Sequence, residues 1–173
     1  LALSLAFALV LLVVWRGHLL EPGPDVVTKG DGPTLQVVAR QRGHVFALKS
    51  GAHLSPGDEI RFVVEPGQGS YLLVTSVDGA GQVSVYFPFG GTRSDKVQDT
   101  RMELPGSVIL DRARGPERVF AFFSKEPIAL DQLKPTLEHL AQQGPEAIRQ
   151  ATRLEVPGVS AQLATFLLEK DLP

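Results

Sequence analysis

Three strand-like runs separated by glycine turns, LSPGDEIRFVVEPGQGSYLLVTSVDGAGQVSVYFP over residues 54–88, constrain this chain more than any other part of it. Ile60, Phe62 and Val64 alternate with Glu59, Arg61 and Val63, so a period-two backbone turns one apolar face inward and a mostly charged face to water. After Gly67, Gly69 and Ser70, the run Tyr71-Leu72-Leu73-Val74-Thr75 is apolar on both faces, as a more central strand requires. Asp78-Gly79-Ala80-Gly81 is the next turn. In residues 82–87, Val83, Val85 and Phe87 point one way and Gln82, Ser84 and Tyr86 the other. The expectation is an antiparallel meander of the three runs.

At 173 residues and 43% hydrophobic content the chain has room for one packed domain plus an appendage. Its 17 Lys and Arg against 19 Asp and Glu leave no basic excess to neutralise a phosphate backbone, so no nucleic-acid partner is expected. With no cysteine, disulfide scaffolds, thiolate zinc sites and cysteine nucleophiles fall away within these residues.

The appendage is the N-terminus. The stretch from Leu1 to Trp15, LALSLAFALVLLVVW, is uncharged and apolar except for Ser4. At ~1.5 Å per helical residue it covers only part of a ~30 Å hydrocarbon core. Residues 1–18 therefore read as a partial transmembrane anchor, the missing initiating Met fitting a fragment whose upstream part is absent. A secretory signal peptide has an apolar region of similar length, but Trp15-Arg16-Gly17-His18 is no small-residue cleavage site, and Trp suits a membrane interface. Residues 19–33, with Pro22, Pro24, Pro33, Gly23, Gly30 and Gly32, read as a linker. Arg16 and Lys29 face Glu21, Asp25 and Asp31, a flank poor enough in positive charge for an extracytoplasmic side.

Residues 34–173 form the predicted β domain. Residues 34–40 and 44–49 read as a first hairpin, and 89–96 as a long polar loop. Residues 101–104 and 107–110 are short strands, and ERVFAFFS over 117–124 a central one. Leu130, Leu133, Leu137 and Leu140 recur at helical spacing, with Asp131 as candidate cap and Gly144-Pro145 closing the run. Pro135 fits such a helix only in its first turn. With a shorter helix over 146–153, the helical insertion spans about 128–153, and residues 162–169 close the domain as a strand.

Little of this carries chemistry. His18, His44, His53 and His139 have no i, i+4 pairing or metal-ligand motif, so no metal or cofactor is expected. Asp78-Gly79 lacks the alternating oxygen ligands of a calcium loop, and the glycines of 67–70 and 89–92 match no phosphate-binding pattern. No G-x-S-x-G occurs, and Asp58-Glu59 point to opposite faces of one strand, so no catalytic residue is assigned. Tyr86, Phe89, Arg93 and Lys96, collected near the 89–96 loop, are the candidate contact patch.

Taken in order, LSPGD at 54–58, GSYL at 69–72, the Asp78-Gly79 turn, VYFP at 85–88, LPG at 104–106, GPER at 115–118 before VFAFFS, and Glu126-Pro127 resemble a widespread bacterial family of envelope-associated domains, domain of unknown function forty-three eighty-four. The resemblance spans residues 37–130. It implies a β-sandwich module, in some members behind a membrane span with an anti-sigma-like segment on its cytoplasmic side, and carries over no catalytic residue.

The expected fold is mainly β, an Ig-like antiparallel β-sandwich with one or two late α-helices behind an N-terminal transmembrane helix. The expected role is non-enzymatic: a sensing or protein-interaction module of a bacterial envelope signalling protein, single-pass in the inner membrane with its domain in the periplasm. Its partners would be the membrane, through Leu1 to Trp15, and another protein. Two other classes compete with it. A glycan-binding module would stack sugars on Tyr86 and Phe89, and a hydrolase would need a deep pocket joining a His to Asp or Ser.

Overall fold

The computed structural model describes residues 32–170 except residue 42. The predicted anchor over 1–18 and most of the linker lie outside the described residues, as does His18. Within them the fold is mainly β, two sheets face to face with two helices against the outer side of one.

The first sheet has β1 (Thr34–Gln41) between β2 (His44–Ala47) and β4 (Glu59–Glu65), with two short strands, β8 (Met102–Glu103) and β9 (Val108–Ile109), along the other side of β4. The second runs β3 (Ala52–Leu54), β11 (Gln162–Lys170), β10 (Gly115–Ser124), β5 (Tyr71–Asp78), β6 (Val83–Phe87), with β7 (Asp95–Lys96) also on β5. Pairing is antiparallel except between β3 and β11, one parallel departure from the expected antiparallel sandwich.

Alternation explains the core. Val37 and Ala39 of β1 and Ile60, Phe62 and Val64 of β4 meet Leu72, Val74, Val119, Ala121, Phe123, Phe166 and Leu168 between the sheets. On the other side of the second sheet, Leu73, Val77, Phe120 and Phe122 pack under α1 (Leu130–Gln142) and α2 (Pro145–Gln150). So β5 and β10 are buried on both faces because one face meets a sheet and the other a helix layer.

Only the second half of the meander forms: β5 and β6 pair antiparallel as expected, but β4 does not pair with β5. β4 pairs with β1, β8 and β9, whereas β5 pairs with β10, β6 and β7. The turn over residues 66–70 carries the chain from one sheet to the other instead of folding it back as a hairpin. Alternation specifies which side of a strand is buried, and both a hairpin and a crossing satisfy that equally. Within the 89–96 segment, read as loop, Asp95 and Lys96 pair with β5.

β6 also departs from simple alternation. Val74 pairs with Phe87 and Thr75 with Val85, leaving Tyr86 as the extra residue of a bulge. Val83 and Val85 face the helices, while Tyr86 and Phe87 both reach the inter-sheet core, so Phe87 does not share the face of Val83 and Val85.

α1 buries Leu130, Leu133, Leu137 and Leu140, as the spacing predicts. Its N-cap is Ala129, not Asp131, which sits in the first turn, and Gln132 Oε1 accepts the Ala129 N–H at 2.8 Å. Pro135 lies beyond the first turn, inside the helix on its exposed side. There the ring removes one backbone donor without entering the packed face.

Candidate functional site

Three of the four predicted patch residues reach the surface. Phe89 is 90% exposed at the tip of the segment between β6 and β7. The segment is tied down: Ser94 N–H donates to Ile128 O at 2.8 Å, Ile128 N–H to Ser94 Oγ at 2.8 Å, and Leu130 N–H to Thr92 O at 2.8 Å. Gly90, at φ 67°, takes the left-handed conformation beside a Gly91 N–H to Pro88 O bond of 2.9 Å. Arg93 bridges Ala129 through its backbone and is exposed. Lys96 Nζ stands 5.8 Å from the centroid of the Tyr71 ring, a half-buried member of the patch that pattern reading missed.

Tyr86 is not in the patch. Its ring stacks on Phe62 at 5.3 Å between centroids, and its hydroxyl donates to Glu117 Oε1. The side chain lies opposite Val83 and Val85, on the face of β6 that meets the other sheet, so Tyr86 and Phe89 form no common platform for a sugar ring. Ser76 Oγ lies beside that hydroxyl but meets hydrogen-bond geometry with no group among the described residues. Burial, and then the Glu117 carboxylate, push the Tyr86 phenol well above the ordinary tyrosine range.

Glu117 leads into a buried charge cluster. Lys170 Nζ, on a side chain 2% exposed, lies 2.9 Å from Glu117 Oε2, 2.9 Å from Asp111 Oδ1 and 3.8 Å from Asp78 Oδ2. Burial alone would lower the lysine pKa, but Glu117 and Asp111 outweigh it and the net shift is upward. Asp111 is held below the ordinary carboxylate range chiefly by its hydrogen bond from Lys170. Asp78 also ends its own turn, Oδ1 accepting the N–H groups of Ala80 at 3.0 Å and Gln82 at 2.8 Å. The cationic amine is saturated with acceptors, which makes the cluster a clasp across β5, β10 and β11 and not a nucleophile.

A second buried cation faces the helices. Arg118, 4% exposed, donates from Nε to Ile148 O at 3.2 Å and from its other end to Arg149 O, satisfying carbonyls in the last turn of α2. Arg149 in turn pairs with Glu169 of β11 at 2.8 Å.

A depression of about 670 Å³ opens where β10 ends, between Gly69, residues 124–128, Gln132 and residues 158–162. Lys125 and Glu126 are its ionisable lining groups, and among the described residues no histidine lines it. His44 is exposed on β2, and His139 lies 3.1 Å from Gln143 Nε2. No group of three potential metal ligands exists among the described residues.

The remaining feature is an edge. β2 is exposed along its length, Val45 at 48% and Phe46 at 37%, and among the described residues no strand pairs with its outer side. Leu48 N–H to Val37 O at 2.8 Å makes those two a hydrogen-bonded pair, and in this register every second pair along, Ala39 with Phe46 and Gln41 with His44, follows the same rhythm. Phe46 therefore bonds Ala39, while the N–H and C=O groups of Val45 and Ala47 point away from the sheet. The neighbouring outer face is a charged ladder, Arg40–Glu59 at 3.6 Å, Glu59–Arg61 at 3.6 Å and Arg61–Glu103 at 2.7 Å.

Fold and surface thus define a helix-backed two-sheet β module with an open edge strand. No family model, curated protein or solved structure matches the chain.

Proposed function

We propose that this chain is a non-enzymatic, membrane-anchored protein-interaction module of the bacterial envelope, its domain outside the cytoplasm, and that it binds an extended segment of a partner by strand addition at β2. The observation that carries the reading is the open edge, where Val45 and Ala47 offer outward backbone groups beside exposed Val45 and Phe46 side chains. The competing edges are better guarded: β3, β8 and β9 are two or three residues long, and β6 is bulged at Tyr86. We read the sandwich as Ig-like, since β1-β4-β8 opposite β11-β10-β5 follows the A-B-E over G-F-C order of that fold. The family resemblance of residues 37–130 and the apolar run from Leu1 to Trp15 support the envelope setting.

A photo-crosslinking residue at Ala47 of the full chain in cells tests the edge. The expected result is a discrete protein adduct that disappears on Val45→Pro, which removes an outward donor without touching the β1–β2 bonds. An adduct indifferent to Val45→Pro, or none, overturns strand addition. Protease cleavage of a C-terminal tag without lysis of the inner membrane tests the side occupied, and protection until lysis overturns the extracytoplasmic placement.

A further inference from the structure

The sandwich has two unlike ends. Thr34, where the chain enters, pairs with Glu65 at the end of β4, and β5 begins nearby at Tyr71, opposite Ser124 at the end of β10. The segment bearing Phe89 leaves β6 opposite Val74 and returns opposite Leu72, so it lies toward the same end. At the far end are Glu59 opposite Ile109, the start of β10, and the Lys170 cluster. The most exposed large apolar side chain among the described residues therefore shares an end with the entry of the chain.

We infer that this end docks on the lipid interface, with Phe89 inserted among the headgroups and Arg93 and Lys96 reaching lipid phosphates. The inference rests on the membrane-tether reading of residues 1–18. A fifteen-residue linker spans about 20 Å as a flexible coil and about 45 Å as extended polyproline helix. The ten residues of β10 alone run about 33 Å. A coiled linker thus keeps the end holding Thr34 nearer the bilayer than the far end. Tethering also raises the local concentration of the surface to the order of millimolar, so a weak contact by one aromatic and two cations suffices. The hydrogen bonds that tie Thr92 and Ser94 to Leu130 and Ile128 anchor the segment bearing the exposed Phe89, which limits the ordering cost of docking.

The test uses the full chain in vesicles of phosphatidylcholine and phosphatidylglycerol carrying brominated acyl chains. Trp15 is the sole tryptophan, so its quenching in the native chain reports the tether itself. In Trp15→Phe chains, Phe89→Trp should be blue-shifted and quenched at shallow depth, whereas Ile109→Trp, exposed at the far end, should stay unquenched. Both replaced side chains are largely solvent-exposed, so folding is little disturbed. Quenched Trp15 with an unquenched Phe89→Trp overturns the docking inference alone, and a blue shift without quenching does the same by showing protein cover. An unquenched Trp15 overturns the tether reading and the inference with it.

Discussion

Lys170 Nζ on β11 and Glu117 Oε2 on β10 meet at 2.9 Å with side chains 2% and 4% exposed, which makes them the most deeply buried ion pair among the described residues. The two strands are neighbours throughout, so the pair adds little to their pairing. What it does is close the end of the inter-sheet core, where Tyr86, Asp78 and Asp111 converge on the same charges.

Removing one charge leaves the other buried without its counter-ion. Lys170→Met is expected to destabilise the fold by about 3–5 kcal/mol, and Glu117→Leu by a similar amount. The double variant should be less destabilised than the sum of the singles, because the orphaned charge is gone. Urea unfolding of the four chains measures the coupling.

Stability should fall on the alkaline side through the same groups. The folded Lys170 pKa is raised above its ordinary 10.5, so the native state holds that proton more tightly than the unfolded chain. The stabilisation is complete below 10.5 and is lost as pH rises through the higher folded value. Tyr86, also raised, acts in the same direction. Asp111, lowered, contributes above its ordinary 3.8 and loses its contribution as pH falls. Thermal melts from about pH 10 to 12 should show a steeper decline for the native chain than for Lys170→Met, and equal slopes would contradict the assignment.

Arg118→Met keeps the volume on the helix face of β10 but leaves the Ile148 and Arg149 carbonyls without their charged donor. A loss of about 1.5–3 kcal/mol is expected. Hydrogen exchange should quicken in α2 while the β5–β10 ladder remains protected, since the contact holds a short helix and not the sheet.

Gly69→Ala tests the crossing between the sheets. A Cβ at Gly69 would stand 2.9 Å from Phe123 Cβ and 3.3 Å from the Ser124 nitrogen, on a rigid part of β10. The turn must move away, at a cost of about 1–3 kcal/mol. Gly106→Ala, where the space is open but φ is 86°, should cost less, about 1 kcal/mol, from backbone strain alone.

Much of the strand and helix content was legible before the fold was known, and the misses share one cause. Ile60, Phe62 and Val64 declare their buried face by period two, and the apolar-both-ways Tyr71–Val74 run declares a layer on each side. Tyr86 was misplaced because alternation puts it opposite Val83 and Val85 without saying that this face meets the other sheet and not water, and Phe87 was misplaced because nothing in VSVYF marks the bulge. The contact patch was half legible for the same reason: Phe89, Arg93 and Lys96 belong to one local segment, whereas Tyr71 joins them through the β5–β7 pairing.

By itself, then, the order of residues determined the longer strands and the first helix, the buried face of β4 and the apolar stripe of α1, because these follow from side-chain direction over a few neighbouring residues. Tertiary structure alone decided that β4 and β5 lie in opposite sheets, that Lys170 is sealed against Glu117 and Asp111, and that β2 keeps an open edge. Backbone hydrogen bonds are chemically alike on every strand. Which strand answers which depends on packing between residues as distant as Asp78 and Lys170, where burial removes the water that would otherwise screen their charges.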